Sequence, residues 1–132
     1  MTDRASSTLP REAKGPVAPA PPLTGTLKKV ADQVAAWPSV TATVHWRFDA
    51  PEVVDGVDFY VGDEELGHIH LDGSIHLATT SRLRDELVAE GLGEPFRWGR
   101  GWTLASVDRL GAEKSIAVFR RNYNRLARES PH

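Results

Sequence analysis

The stretch Glu65-Leu66-Gly67-His68-Ile69-His70-Leu71-Asp72-Gly73-Ser74-Ile75-His76-Leu77 decides the fold, because its pairing register fixes which side chains share a face. It holds three of the five histidines in the chain. Apolar and polar residues alternate on both sides of Leu71-Asp72-Gly73, which is a turn signal, so the stretch reads as a β-hairpin. A two-residue Asp-Gly turn would pair Leu71 with Ser74 and set His70 beside Ile75, mixing imidazole with aliphatic side chains on each face. A three-residue loop ending in a left-handed Gly73 instead pairs His70 with Ser74, Ile69 with Ile75 and His68 with His76. That register gathers Ile69, Leu71, Ile75 and Leu77 on one face and all three histidines on the other. A slip by one residue inverts every side chain, so the consistency of the apolar face selects the three-residue loop. The hairpin is expected to carry an apolar back and an imidazole cluster in front.

Upstream, Val57-Asp58-Phe59-Tyr60-Val61 reads as a strand that turns through Gly62-Asp63-Glu64 into the hairpin. Before it, Val40 to Phe48 is rich in β-branched and aromatic residues. Val40, Ala42, Val44, Trp46 and Phe48 fall on one face of this strand, and Thr41, Thr43, His45 and Arg47 on the other. Asp49-Ala50-Pro51-Glu52 reads as the loop between the two. Leu27, Val30, Ala31, Val34 and Ala35 follow helical spacing, and Pro38 ends that helix. Downstream, Thr79-Thr80-Ser81 offers N-caps for a helix carrying Leu83, Leu87 and Val88, stopped by Gly91 and Gly93. Glu94 to Trp98 and Gly101 to Val107 form a second hairpin around Gly99-Arg100-Gly101. From Gly111, Ile116, Phe119, Tyr123 and Leu126 make the apolar stripe of a terminal helix. The order is helix, four strands, helix, two strands, helix. It predicts an α+β two-layer sandwich, a mainly antiparallel sheet with the helices packed on one face.

Composition bounds the rest. The first 22 residues hold five of the nine prolines and little to bury, so residues 1–22 read as a disordered Pro/Ala-rich tail and 23–129 as one domain. A net charge of -2 gives no basic footprint, which argues against nucleic acid as a partner. The absence of cysteine excludes disulfide frameworks, thiolate metal sites and cysteine nucleophiles. No apolar run is long enough to span a bilayer and no signal-peptide core is evident, so a soluble, cytoplasmic protein without a membrane partner is expected. Twelve arginines against four lysines, with abundant Ala and Gly, fit a GC-rich bacterial genome. Oligomeric state is not readable.

His68, His70 and His76 are the candidate catalytic residues. Alternate histidines on a strand share a side, and the partner strand adds a third. Three readings stand together: polar residues on a wet sheet face, a His-ligated metal with Glu65 or Asp72 as a further donor, and a metal-free acid/base or binding site. His45 and Arg47 share the polar face of their strand and are candidate substrate contacts, Arg47 as the partner of an anionic oxygen. Trp98 and Arg100, at the second hairpin, are candidate walls of a small-molecule pocket, while Trp37, Trp46 and Trp102 are expected in the core. No phosphate loop and no nucleophile elbow is present.

The pattern Glu65-x-x-His68-x-His70, a short turn, His76-Leu77, a helix, Trp102-Thr103 and a C-terminal helix resembles the luciferase-domain family. That family groups the fungal luciferases with many small uncharacterised bacterial and fungal proteins. The resemblance covers roughly residues 55 to 127. It implies a small-molecule ligand, no organic cofactor, and His68, His70 and His76 as the groups that deprotonate an enolic or aromatic substrate for reaction with molecular oxygen. In the luminous members that substrate is a hydroxylated styrylpyrone. Set against the family, this chain is expected to have a shorter hairpin turn and no membrane-anchoring N-terminal segment of the kind in the fungal enzymes, and it reads Pro95-Phe96-Arg97 where many relatives carry a histidine. A non-catalytic binding or interaction module is the alternative reading.

Overall fold

A computed structural model of the chain describes residues 14–129. The elements follow the expected order: α1 (Gly25–Ala35), β1 (Val40–Arg47), β2 (Ala50–Val61), β3 (Glu64–His70), β4 (Ser74–Leu77), α2 (Ser81–Ala89), β5 (Glu94–Pro95), β6 (Thr103–Ser106) and α3 (Val107–Glu129). The strands form one sheet in the order β1-β2-β3-β4-β6-β5, and every pair is antiparallel. The protein is therefore an α+β sandwich with its helices on one face of the sheet.

The β3–β4 hairpin has the register that its apolar face demands. His68 lies opposite His76 and Ile69 opposite Ile75. The loop is Leu71-Asp72-Gly73, closed by the Gly73 N–H donating to the His70 carbonyl (3.0 Å). Ile69, Ile75 and Leu77 are buried with Val57, Phe59 and Val61 of β2 beneath Val30 and Val34 of α1, Leu87 of α2, and Val118 and Phe119 of α3. Each such side chain, removed from water, contributes on the order of 1.5–3 kcal/mol. Phe59 meets Phe119 edge to face at 5.4 Å. Thr80 caps α2, its hydroxyl accepting the Leu83 N–H (3.2 Å). Asn122 of α3 reaches down to the sheet, where its side-chain amide donates to the Leu66 and Ala78 carbonyls (2.8 and 3.1 Å).

Four details differ from the sequence reading. The loop expected at 49–52 is shorter, because β2 starts at Ala50. The second hairpin is reduced to the two residues of β5 against β6, since Pro95 cannot extend a ladder as a donor. Trp46 is only half-buried and Phe48 fully exposed, because β1 ends at Arg47 and neither side chain lies under a helix. Trp37, by contrast, packs on Tyr123 at 5.2 Å in the core. Finally, of the tail predicted over residues 1–22, residues 1–13 lie outside the described residues, while the segment from Lys14 runs along β1. The Ala18 carbonyl accepts the Val44 N–H (3.0 Å), Pro19 bridges Thr43, and the Pro16 carbonyl accepts Trp46 Nε1–H (2.9 Å). Proline and alanine supply backbone carbonyls as readily as any residue, so a segment poor in apolar side chains still docks on a free sheet edge.

Candidate active site

The face of the sheet away from the helices carries four imidazoles in one contiguous cluster. His45 of β1 stacks on His68 of β3, with ring centroids 4.0 Å apart and planes 13° from parallel. His70 stands edge-on to both, at 5.0 and 4.9 Å. His76 of β4 lies 4.9 Å from His68 and 4.4 Å from His70. The hairpin register delivers three of these rings, and the pairing of β2 between β1 and β3 brings in the fourth.

Each of three imidazoles has its own carboxylate. His45 Nδ1 lies 2.8 Å from Asp58 Oδ1, His68 Nδ1 2.9 Å from Glu65 Oε2, and His70 Nδ1 2.8 Å from Asp55 Oδ2. Strict alternation along the strands cannot produce this set. Asp58 and Tyr60 face the histidines while Val57, Phe59 and Val61 face the helices, so alternation would send Asp55 to the helix side. Likewise, with Ile69 in the core, alternation would bury Glu65 and expose Leu66 to the imidazoles. Two bulges reverse both assignments. On β2, His45 pairs with Gly56 and Trp46 with Val54, leaving Asp55 as the extra residue. On β3, Phe59 pairs with Gly67 and Tyr60 with Glu65, leaving Leu66 extra. A bulge turns the chain over by one residue and re-aims its side chains.

A glycine follows the extra residue in each bulge, with φ of +143° at Gly56 and +153° at Gly67. Each backbone presses directly on the next strand. A Cβ at Gly56 would lie 1.9 Å from the Ile69 carbonyl oxygen, and one at Gly67 2.6 Å from that of His76. These glycines are the sequence signal for the carboxylate placement, and periodicity alone does not reveal it.

If Nδ1 of His68 and His70 donates to a carboxylate, Nε2 of each is an acceptor. Both Nε2 atoms face His76 Nδ1, at 3.1 and 3.3 Å. Two chains therefore converge on one ring: Glu65–His68–His76 and Asp55–His70–His76. The single Nδ1–H of a neutral His76 can serve only one acceptor at a time. Burial, followed by neighbouring His45, lowers the His68 pKa well below the ordinary value. Burial, reinforced by His70 and His45, pushes His76 down to about 4. Both rings are thus neutral at pH 7, with lone pairs available.

Behind the stacked pair, the Lys14 ammonium bridges the carboxylates, 3.0 Å from Glu65 Oε1 and 3.2 Å from Asp58 Oδ2. Burial works against its charge, but the fields of Glu65 and Asp58 outweigh it and raise the Lys14 pKa. Burial raises Glu65 above the usual carboxylate range, with Lys14 opposing the shift. Burial likewise pushes the Tyr60 hydroxyl up to about 12, so it stays protonated. Among the described residues, ring nitrogens of His45, His68 and His70 come within 4.8 Å of one another, close enough for three donors to share an ion. Asp58, Glu65 and His68 form a second such group, and Lys14 already sits on its two carboxylates.

The imidazoles open into a cavity of about 650 Å³, the size that holds a small organic molecule. Phe96, Trp98, Trp102 and Phe48 supply its apolar walls. Phe96 packs against His76 at 4.4 Å, and Trp102 against His68 at 5.8 Å. Trp102, expected in the core, is indeed buried but also forms the cavity wall. Trp98 is 78% exposed at the mouth, with the Arg97 guanidinium over its ring. Of the residues picked from sequence, His45, His68, His70 and His76 meet in one cluster, and Arg47 and Trp98 line the same cavity. Arg47 is already held by Asp49 through two hydrogen bonds of 2.8 and 3.0 Å. Arg100 is exposed and lies outside the lining, in a turn closed by the Trp102 N–H donating to the Gly99 carbonyl (3.0 Å). Asp55, Asp58 and Lys14 were not picked.

None of the described helices is long and apolar enough to cross a membrane. Residues 63–118 match the family model of the luciferase domain, a segment that runs from the start of the histidine hairpin into α3. His45, Asp55, Asp58 and Lys14 lie outside that segment. No curated protein and no solved structure matches the chain.

Proposed function

With a luciferase domain over residues 63–118 as the premise, we propose that the cavity takes a planar enolic or aromatic molecule and prepares it for reaction with molecular oxygen, without an organic cofactor. The observation that carries this reading is the convergence of two carboxylate–imidazole chains on His76, beside the aromatic wall at Phe96. His76 accepts the acidic proton of the substrate at Nε2. Its Nδ1 proton passes to His68 or His70, and the imidazolium so formed rests against Glu65 or Asp55, as a carboxylate supports the imidazolium of a catalytic dyad. The enolate left in the cavity is electron-rich enough to reduce oxygen by one electron, after which the two radicals join in a carbon–oxygen bond. Phe96 and Trp102 hold the ring of the substrate and keep water from the enolate.

Oxygen uptake by untagged protein, measured with hydroxylated pyrones, enolic 1,3-dicarbonyls and phenols in the presence of a chelator, tests this. Substrate-dependent uptake that survives the chelator is expected. His76→Gln is expected to lower it by about 10²–10⁴-fold, the usual contribution of a positioned acid/base group. Binding without uptake across the panel would make the protein a binding module. Uptake abolished by the chelator would replace the proton chain with metal chemistry.

A further inference from the structure

We propose that Lys14 is a positioning residue of the imidazole cluster, the fixed counter-ion whose bridge between Asp58 and Glu65 holds His68 neutral and turns both carboxylates toward Nδ1 of His45 and His68. The proposal rests on the site reading above, but not on any oxygen chemistry.

Three observations carry it. First, Lys14 reaches the cluster from outside the luciferase-domain segment, on a backbone pinned to β1 by the Trp46–Pro16 and Val44–Ala18 hydrogen bonds. Its position is therefore set by the docked segment. Secondly, it touches the outward oxygen of each carboxylate. Glu65 uses Oε1 for Lys14 and Oε2 for His68, and Asp58 uses Oδ2 for Lys14 and Oδ1 for His45. The ammonium thus competes with neither imidazole and fixes the direction of both carboxylates. Thirdly, Asp58 and Glu65 are 3% and 2% exposed, so their charge must be balanced within the protein. The groups facing this pair are Lys14, Tyr60 of β2, His45 of β1, His68 of β3 and His76 of β4.

The charge count gives the consequence. Asp58, Glu65 and the one ammonium leave a single negative charge beneath His45 and His68, enough to stabilise a single arriving proton. Without Lys14 the count is two. The pair then draws a proton to His68 in the resting state, and the ring that should receive the proton passed on by His76 is already occupied.

The test uses the full chain and needs no substrate. Long-range ¹H–¹⁵N spectra of the histidine rings report tautomer and charge directly. In the wild type at pH 7, His68 is expected as a neutral ring with Nδ1–H, and His45 with a proton on the Nδ1 that faces Asp58. Lys14→Met is expected to raise the titration midpoint of His68 by about one to three pH units, the usual effect of one close charge, and Lys14→Arg to restore it. Lys14→Met/Asp58→Asn, which removes one charge of each sign, should return His68 to its neutral state; it remains informative if the single Met variant fails to fold. Unchanged ring shifts and midpoints in Lys14→Met, or a double variant no different from a folded single one, would overturn the proposal. If these spectra behave as expected while no oxygen uptake is found, the oxygenase reading fails and the Lys14 assignment stands.

Discussion

At the scale of single residues, the site depends on keeping the buried imidazoles of His68 and His76 uncharged. A histidine whose pKa is depressed in the folded state must take up a proton as the chain unfolds in acid. The unfolded chain binds more protons between the ordinary value near 6.5 and the folded value of about 4 for His76, so stability rises with pH across that window. Protein that is fully stabilised above about pH 6.5 is therefore expected to lose on the order of 3 kcal/mol through His76 on the way down to pH 4. His68 adds to the loss in the same direction. Urea titrations at pH 7 and pH 4.5 measure it, and His76→Gln should flatten the difference. An equal pH dependence in that variant would show that His76 is not buried as a neutral ring.

At the scale of elements, the two bulges aim the carboxylates. Gly67→Ala would force a methyl group to 2.6 Å from the His76 carbonyl oxygen, and Gly56→Ala to 1.9 Å from that of Ile69. The strands must part or the bulges must straighten. Each variant is expected to cost at least about 3 kcal/mol, the range reserved for overpacking and backbone strain. Denaturant midpoints test the cost, and histidine ring spectra test whether Glu65 and Asp55 have left their partners. The β3–β4 register was legible from sequence because one face of the hairpin is apolar and a slip would expose it. The bulges were not, because a bulge breaks the alternation on which such a reading depends. Gly56 and Gly67 mark where it breaks, yet a strand glycine by itself does not say which neighbour is turned over.

At the scale of the whole molecule, the sheet separates two tasks. One face is buried by α1, α2 and α3, and the other carries the imidazole cavity. Phe119→Ala, on the helix side, is expected to cost about 3–5 kcal/mol through the lost contacts and the void it leaves. It should leave the histidine tautomers of the remaining folded protein unchanged. Calorimetry and ring spectra on the same sample check both halves. A change in tautomers would mean that the two faces are mechanically coupled through β2 and β3.

The sequence by itself determined the layer architecture, the order of the elements, the hairpin register and the shared face of His68, His70 and His76. All of these follow from periodicity and turn chemistry, which act between near neighbours in the chain. Only the tertiary structure decided that Asp55 and Glu65 reach the histidine face, that Asp58 and Lys14 complete the charge balance, and that Trp102 serves as cavity wall. Those placements need contacts between residues as far apart as Lys14 and Glu65. They are set by where one strand or segment docks on another, and the local alternation of side chains does not encode that.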